Sequence, residues 1–294
     1  MTELSASTPV PTSRWTQFRA SRVGRALSEP LTLFGVCLVF IHLFLALFAQ
    51  VISPHSVSAL VGPPMQTPGG AFWLGTDQIG RDYLSRILAG GQVALLVSGC
   101  GVVVAVAVGT ALGLFAGYVG GLADEVIMRG VDTMMSVPEL ILIAILTLAI
   151  GSDLTSLIVV VAITYMPGVV RVVRARTVML ATQDFVRAAE LRGETRIAIM
   201  VRELLPNLVA LLGIELAVRM SSAILKISAL SFLGLGVSQP TPDWGLMVQE
   251  AMGVVYTDPW FLVLPAVALS SLILGINFMV DGLARAFGIS TSEL

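Results

Sequence analysis

Six apolar runs of roughly twenty residues each, divided by short polar segments, set the limits on what this chain can fold into. A run of that length crosses a ~30 Å hydrocarbon core as an α-helix. In lipid every backbone N–H and C=O must find a partner inside the protein, so helices rather than open strands are expected. The runs cover 31–52, 93–118, 140–150 extended back toward Met134, 154–173, 208–233 and 261–283. The third has the shortest apolar core, with Glu139 near its start, Gly151 near its end and Pro138 marking where its helix begins. The fold class that follows is all-α, a polytopic membrane protein with six transmembrane helices. Composition agrees: 56% hydrophobic and 12% charged residues lie outside soluble usage of about half apolar and a quarter charged.

Basic residues give the orientation, because short cytoplasmic connections carry an excess of Lys and Arg. Arg14, Arg19, Arg22 and Arg25 precede the first run, and Arg171 through Arg202 cluster between the fourth and fifth. With six spans these segments share a side with Arg129 and Arg285, and only Arg81 and Arg86 face the other way. Both termini are therefore expected in the cytoplasm. Residues 1–30 read as a polar tail, too long for the n-region of a signal peptide, and 284–294 as a second cytoplasmic tail. Between them lie a first helix with its external loop (31–92) and a five-helix core (93–283).

Sixteen of the seventeen basic residues are arginine. The one lysine, Lys226, follows Ile224 and Leu225 in an apolar run, which excludes a G-x-x-x-x-G-K-[ST] phosphate loop. Cys37 and Cys100 lie within apolar runs as small hydrophobes. His42 and His55 have no Cys or acid at metal-ligand spacing, and no Gly-x-Ser-x-Gly turn is present. Covalent chemistry, a bound metal or cofactor, and a nucleic-acid partner are not expected.

Between the fourth and fifth runs, residues 184–207 form a polar, arginine-bearing island. Helix formers Ala188, Ala189, Glu190 and Leu191 predict a short helix over 185–192, stopped by Gly193 in a left-handed conformation. A second short helix is expected over 194–204, and a new long one from Pro206. Ala188, Ala189, Gly193, Leu205, Pro206 and Asn207 together resemble the Ala-Ala-Gly coupling loop of the membrane subunits of bacterial ATP-binding-cassette importers. Two positions depart from that pattern: Arg187 replaces its usual Glu and Glu203 its usual His, so the partner's groove is expected to differ there.

A second motif narrows the resemblance. The Pro- and Gly-rich segment 53–91 contains Gly75-Thr76-Asp77, Gly80-Arg81-Asp82 and Ser85-Arg86. Glycines allow tight turns there, and the charges can form an ion-pair cluster in a solvated loop. The pattern is similar to the LGTD…GRD…SR signature of the peptide and nickel importer permeases, in particular the second of their two unequal subunits. Gly117–Gly121 with Asp124, Met128, Arg129 and Asp132 resembles that family's short turn between spans two and three. Residues 231–236 with Pro242, Trp244 and Gly245 resemble the end of span five and the external segment after it. Asn277, Asp281 and Gly282 resemble the end of the last span, although the usual Arg-Asp pair there is Ala284-Arg285.

The resemblance implies a type I importer permease fold in the bacterial plasma membrane. It implies a heterodimer with a second homologous permease, two cytoplasmic ATPase subunits or one fused ATPase, and an extracytoplasmic solute-binding protein that delivers cargo to external loops including Trp244. ATP and Mg would be bound by the ATPases. The coupling residues would be Arg187, Ala188, Ala189, Glu190, Gly193, Glu203, Leu205 and Pro206, with Ala188 and Ala189 entering a groove; Ala189→Glu or Gly193→Pro would uncouple hydrolysis from uptake. Cargo would be dipeptides or oligopeptides, with glutathione or nickel chelates as alternatives; a secondary transporter or a non-transporting scaffold are the rival classes.

Intramembrane polar residues complete the candidate set. Glu215 and Arg219, four apart, can pair on one helix face, which offsets part of an insertion cost of about 2.5–3.5 kcal/mol for each lone charge. Lys226 has no partner four residues away, and the family often carries an acid at this position. Two readings stand: all three residues face the bundle or a partner subunit, or Lys226 lines a passage and meets a carboxylate such as a peptide C-terminus. His42 reads as an interhelical hydrogen bonder.

Overall fold

The computed structural model describes Gly24 and residues 27–287, so the expectations for Arg14, Arg19, Arg22, Arg25 and the last residues of the C-terminal tail lie outside the described residues. Among the described residues, eleven α-helices and one π-helical turn (Met200–Leu204) follow one another from Pro30 to Phe287, and the only β-structure is isolated bridges. The α-helices are α1 Pro30–Ile52, α2 Tyr83–Ala89, α3 Gly91–Val119, α4 Gly121–Met135, α5 Glu139–Ile150, α6 Leu154–Ala181, α7 Asp184–Leu191, α8 Arg196–Ile199, α9 Leu205–Phe232, α10 Trp244–Ala251 and α11 Trp260–Phe287.

Among the described residues, five helical stretches are each long and apolar enough to cross a membrane, and α4 with α5, bent by 93°, makes a sixth when counted as one broken span. Helix packing settles how to count it. Gly101, Gly109, Gly113 and Gly117 on α3 lie against Val161, Val169, Val173 and Thr177 on α6, and an added Cβ would come within 2.6–2.8 Å of each partner's Cβ. Both residue series increase together, so α3 and α6 run parallel. The chain between two parallel spans must cross once, and only α4–α5 is available to do it. Glycine at four-residue spacing lets the backbones approach closely, and dispersion replaces the hydrophobic drive that lipid cannot supply.

The third span is therefore the element that differs most from expectation. Residues 121–135, expected as a turn, form the amphipathic helix α4, anchored to α6 by Asp124, which accepts from Arg174 Nε at 2.6 Å, and by Asp132, which accepts from Arg171 Nη2 at 2.5 Å. Pro138 lacks the N–H that continuation would require and caps a 12-residue α5.

At the other end of the molecule α1 and α11 run antiparallel. Gly35 meets the backbone of Gly275, His42 Nε2 bonds Ser271 Oγ at 2.8 Å, and Arg285 Nη2 donates to Glu29 Oε2 at 2.5 Å. The start of α1 and the end of α11 thus lie on one face, as an even number of spans requires. Two apolar clusters fill the bundle. One joins α3, α5, α6 and α7, and the other α2, α10 and α11; α3 and α9 contribute to both.

Candidate functional site

The segment between α6 and α9 is built as a closed structural unit. Helix α7 ends in a complete Schellman motif: Gly193 N–H donates to Glu190 O at 2.9 Å, and Glu194 N–H to Ala189 O at 3.2 Å. Gly193, at φ +74°, takes the left-handed position with open space around it. Thr195 then caps α8, its hydroxyl accepting from Ala198 N–H at 3.3 Å.

From Arg196 the chain does not stop at Pro206, as the proline suggested. Residues 200–204 form a π-helical turn in which Leu205 N–H reaches back to Met200 O, and α9 continues directly. The widened turn accommodates a proline that cannot donate to the preceding turn. The expected helix over 194–204 accordingly begins two residues later and merges with span five.

Burial separates the two alanines. Ala189 is fully buried with Val186, Ile199 and Leu204 against the end of the bundle, whereas Ala188 is exposed. Only Ala188 is available to an outside groove, and a charge at Ala189 would enter the chain's own packing. Around Ala188 the unit exposes Leu191 (90%) and Ile197 (70%), which sequence reasoning passed over. Their signal was legible: apolar residues among arginines, at positions the α7 stripe does not bury. Arg187, Pro206 and Asn207 are exposed. Glu190 accepts from Tyr118 Oη at 3.0 Å, tying the unit to α3, and Glu203 accepts from Arg192 Nη2 at 3.3 Å.

The 53–91 segment is not the solvated ion-pair loop its composition suggests. Asp77, Arg81, Asp82 and Arg86 are each at most 4% exposed. Asp77 Oδ1 accepts from the backbone N–H of Ile79 and Arg81, and Asp77 Oδ2 accepts from Arg81 Nε at 2.6 Å and lies 3.4 Å from Arg86 Nε. Glu250, at the end of α10, completes the cluster, lying 3.1 Å from Arg86 Nη2 and 3.6 Å from Arg81 Nη2. Sequence reasoning missed Glu250 because nothing in its spacing links it to residues far earlier in the chain. Thr76 Oγ donates to Pro63 O at 2.5 Å, Asp82 caps α2 through Ser85 N–H at 3.0 Å, and Gly75 and Gly80 hold positive φ where a side chain would strike a neighbouring carbonyl.

Trp244 belongs to the same assembly and not to a cargo-receiving surface. It is 3% exposed, lies across Gly90 and Gly91, and donates from Nε1 to Ile87 O at 2.9 Å. Asp243 caps α10 through Leu246 N–H at 3.0 Å. Burial pushes the Asp243 carboxyl up to about 6, against the lowering effect of that hydrogen bond.

Within the membrane Glu215 and Arg219 pair at 2.6 Å, with the guanidinium lying on Gly168 of α6. Asn277 Oδ1 accepts from Ser221 Oγ at 2.8 Å, joining α9 to α11. Lys226 does have a partner one turn away, donating to Ser222 Oγ at 2.9 Å, and it pairs with Glu139 at the start of α5. The structure thus gathers the candidates into three groups: one at the α6–α9 connection, one beneath the 53–91 loop, and one along α9.

Residues 109–289 match the family described as binding-protein-dependent transport system inner membrane component. The chain is 37% identical to the di/tripeptide transport system permease protein DppC of Pseudomonas aeruginosa, over 86% of each chain. It is 34% identical to the dipeptide transport system permease protein DppC of Haemophilus influenzae, over 86% of this chain and 88% of that one. Against the glutathione transport system permease protein GsiD of Escherichia coli the identity is 33%, over 92% and 88%.

Proposed function

The chain belongs to the family of inner-membrane components of binding-protein-dependent transport systems, and from that premise we propose that it is one of two permease subunits of an ATP-driven peptide importer. The relatives named for di/tripeptides and for glutathione, itself a tripeptide, support one substrate class. The chain supplies transmembrane passage and mechanical coupling; ATP and Mg are bound by partner ATPases, two separate chains or one fused. A homologous permease would complete the pathway, and an external binding protein would deliver cargo.

The observation that carries this reading is the unit at 184–204. It is held against the ends of α3, α6 and α9 by buried Val186, Ala189 and Leu204, while Ala188, Leu191 and Ile197 project outward. Apolar side chains exposed among arginines mark a protein-binding surface. In this reading the face is cytoplasmic, with both termini on the same side, and the unit is the seat of an ATPase groove. Closure of the ATPases then moves the ends of spans four and five together.

The test is Ala188→Glu combined with Leu191→Glu. Membrane level and co-purification of the second permease should be unchanged, since neither side chain is buried. ATPase recovery by mass spectrometry and peptide uptake should both be lost. Normal uptake by this variant would reject the reading.

A further inference from the structure

One side of the bundle departs from what a lipid-facing surface tolerates. The helix pair α4–α5 breaks at residues 136–138 with a 93° bend, and Ser136, Pro138, Glu139 and Leu140 are exposed. From Glu139, α5 runs only 12 residues before the external turn at Gly151. That length is about 18 Å, which places Glu139 more than halfway into a ~30 Å core. Unwound backbone and charge at this depth persist only where they meet protein or line a water-filled passage.

Lys226 reaches the same point from α9. Its ammonium lies 2.9 Å from Ser222 Oγ and 5.2 Å from the centre of the Tyr165 ring, and it pairs with Glu139. The neighbouring Glu215–Arg219 pair is closed, with its carboxylate side chain 2% exposed, whereas Glu139 is 46% and Lys226 22% exposed. A salt bridge that only joined α5 to α9 would gain nothing from opening on the unwound side of the bundle.

We propose that the Glu139–Lys226 pair is the closed form of a binding site for the two ends of a zwitterionic peptide in transit. The peptide carboxylate displaces Glu139 from Lys226, and the released Glu139 receives the peptide ammonium. Each charge keeps a partner throughout, so entry of the peptide leaves no unpaired charge at the membrane centre. Ser222 and the Tyr165 ring hold the lysine in place through the exchange. This site rests on the peptide-importer reading above.

The experiment uses the complete transporter in proteoliposomes, with ATP inside, saturating binding protein outside and labelled trialanine as cargo. Lys226→Arg keeps the charge and should transport within about threefold of wild type. Glu139→Gln with Lys226→Gln removes both charges while leaving a hydrogen-bonding pair, a change that is near-neutral for a purely structural bridge. It should assemble and keep binding-protein-stimulated ATP hydrolysis within about twofold. Trialanine uptake should fall about tenfold or more, the loss expected of a charge-assisted hydrogen bond. Wild-type uptake by the neutral pair, or failure of that variant to assemble, would overturn the site while leaving the importer reading intact. Absence of ATP-driven trialanine uptake by the wild type would overturn both.

Discussion

Replacing Glu250 by Ala should destabilise the protein more than any surface charge change, although Glu250 sits in a connection between spans. Two guanidiniums, Arg81 and Arg86, are 3% and 0% exposed at the side chain, and two carboxylates, Asp77 and Glu250, face them. The four charges cancel. Removing Glu250 leaves one net positive charge on two guanidiniums that are themselves buried, and breaking a fully buried pair this way costs about 3–5 kcal/mol. Since Glu250 itself is 20% exposed, about 3 kcal/mol is the expected value, because water would partly take its place. Glu250 also accepts from Gln239 Nε2 at 2.6 Å, and alanine cannot replace that hydrogen bond. For a chain of this size the cost corresponds to roughly 6–12 °C in apparent Tm. The assay is thermal unfolding in mild detergent, with Glu125→Ala as reference. Glu125 pairs with Arg129 on the exposed face of α4 at 3.0 Å, both side chains more than half exposed, and should shift Tm by no more than about 1–2 °C. Equal shifts for the two variants would refute the argument that burial, not pairing, sets the cost.

Gly113→Val places branched carbon where a Cβ alone would lie 2.8 Å from Val173 Cβ; overpacking should cost about 1–3 kcal/mol or more, whereas Gly130→Val, which meets nothing within 4 Å, should be tolerated, as thermal unfolding of the two variants will show. Asp243 should make stability depend on pH. Its folded value of about 6 stands above the ordinary 3.8, so its favourable contribution is fully present below about pH 4 and is lost as pH rises through 6, to the extent of about 2–3 kcal/mol. Asp243→Asn keeps an N-cap acceptor and should be more stable than wild type at pH 8 and similar at pH 4; a variant destabilised equally at both would show that the carboxylate is not strained by burial.

How much of this was legible in the sequence depends on the range of the interaction. The starts of most spans, the Gly193 bend and the Glu215–Arg219 pair are local consequences of period, φ preference and i,i+4 spacing and are found within a few residues of where the sequence places them, whereas α6 runs on to Ala181 and the third span is broken at 136–138. Pro206 misled because a π-turn absorbs its missing donor. The 53–91 charges misled because composition cannot say that α10 returns to cover them. Glu250, Trp244 against Gly90, and Glu139 against Lys226 are contacts between distant segments, and single-sequence patterns carry no term for those. The four-residue repeat of Gly109, Gly113 and Gly117 was readable as a close-packing stripe, though not which helix it would meet.

That stripe also sets the molecule's stiffness. With glycine at four positions of α3, only the short side chains of Val161, Val169, Val173 and Thr177 on α6 separate the two backbones, so the two helices form one closely packed beam. The connection at 184–204 is fixed to the end of that beam through Glu190 and Tyr118. On the far side, α1 and α11 form a second beam, clasped at Gly35 and Gly275. Helix α9 lies between them, sharing an apolar cluster with each. In the coupling we propose, a force applied at one end of the first beam would pass to its other end, and relative travel of the two beams would be taken up along α9, the helix that carries Arg219 and Lys226.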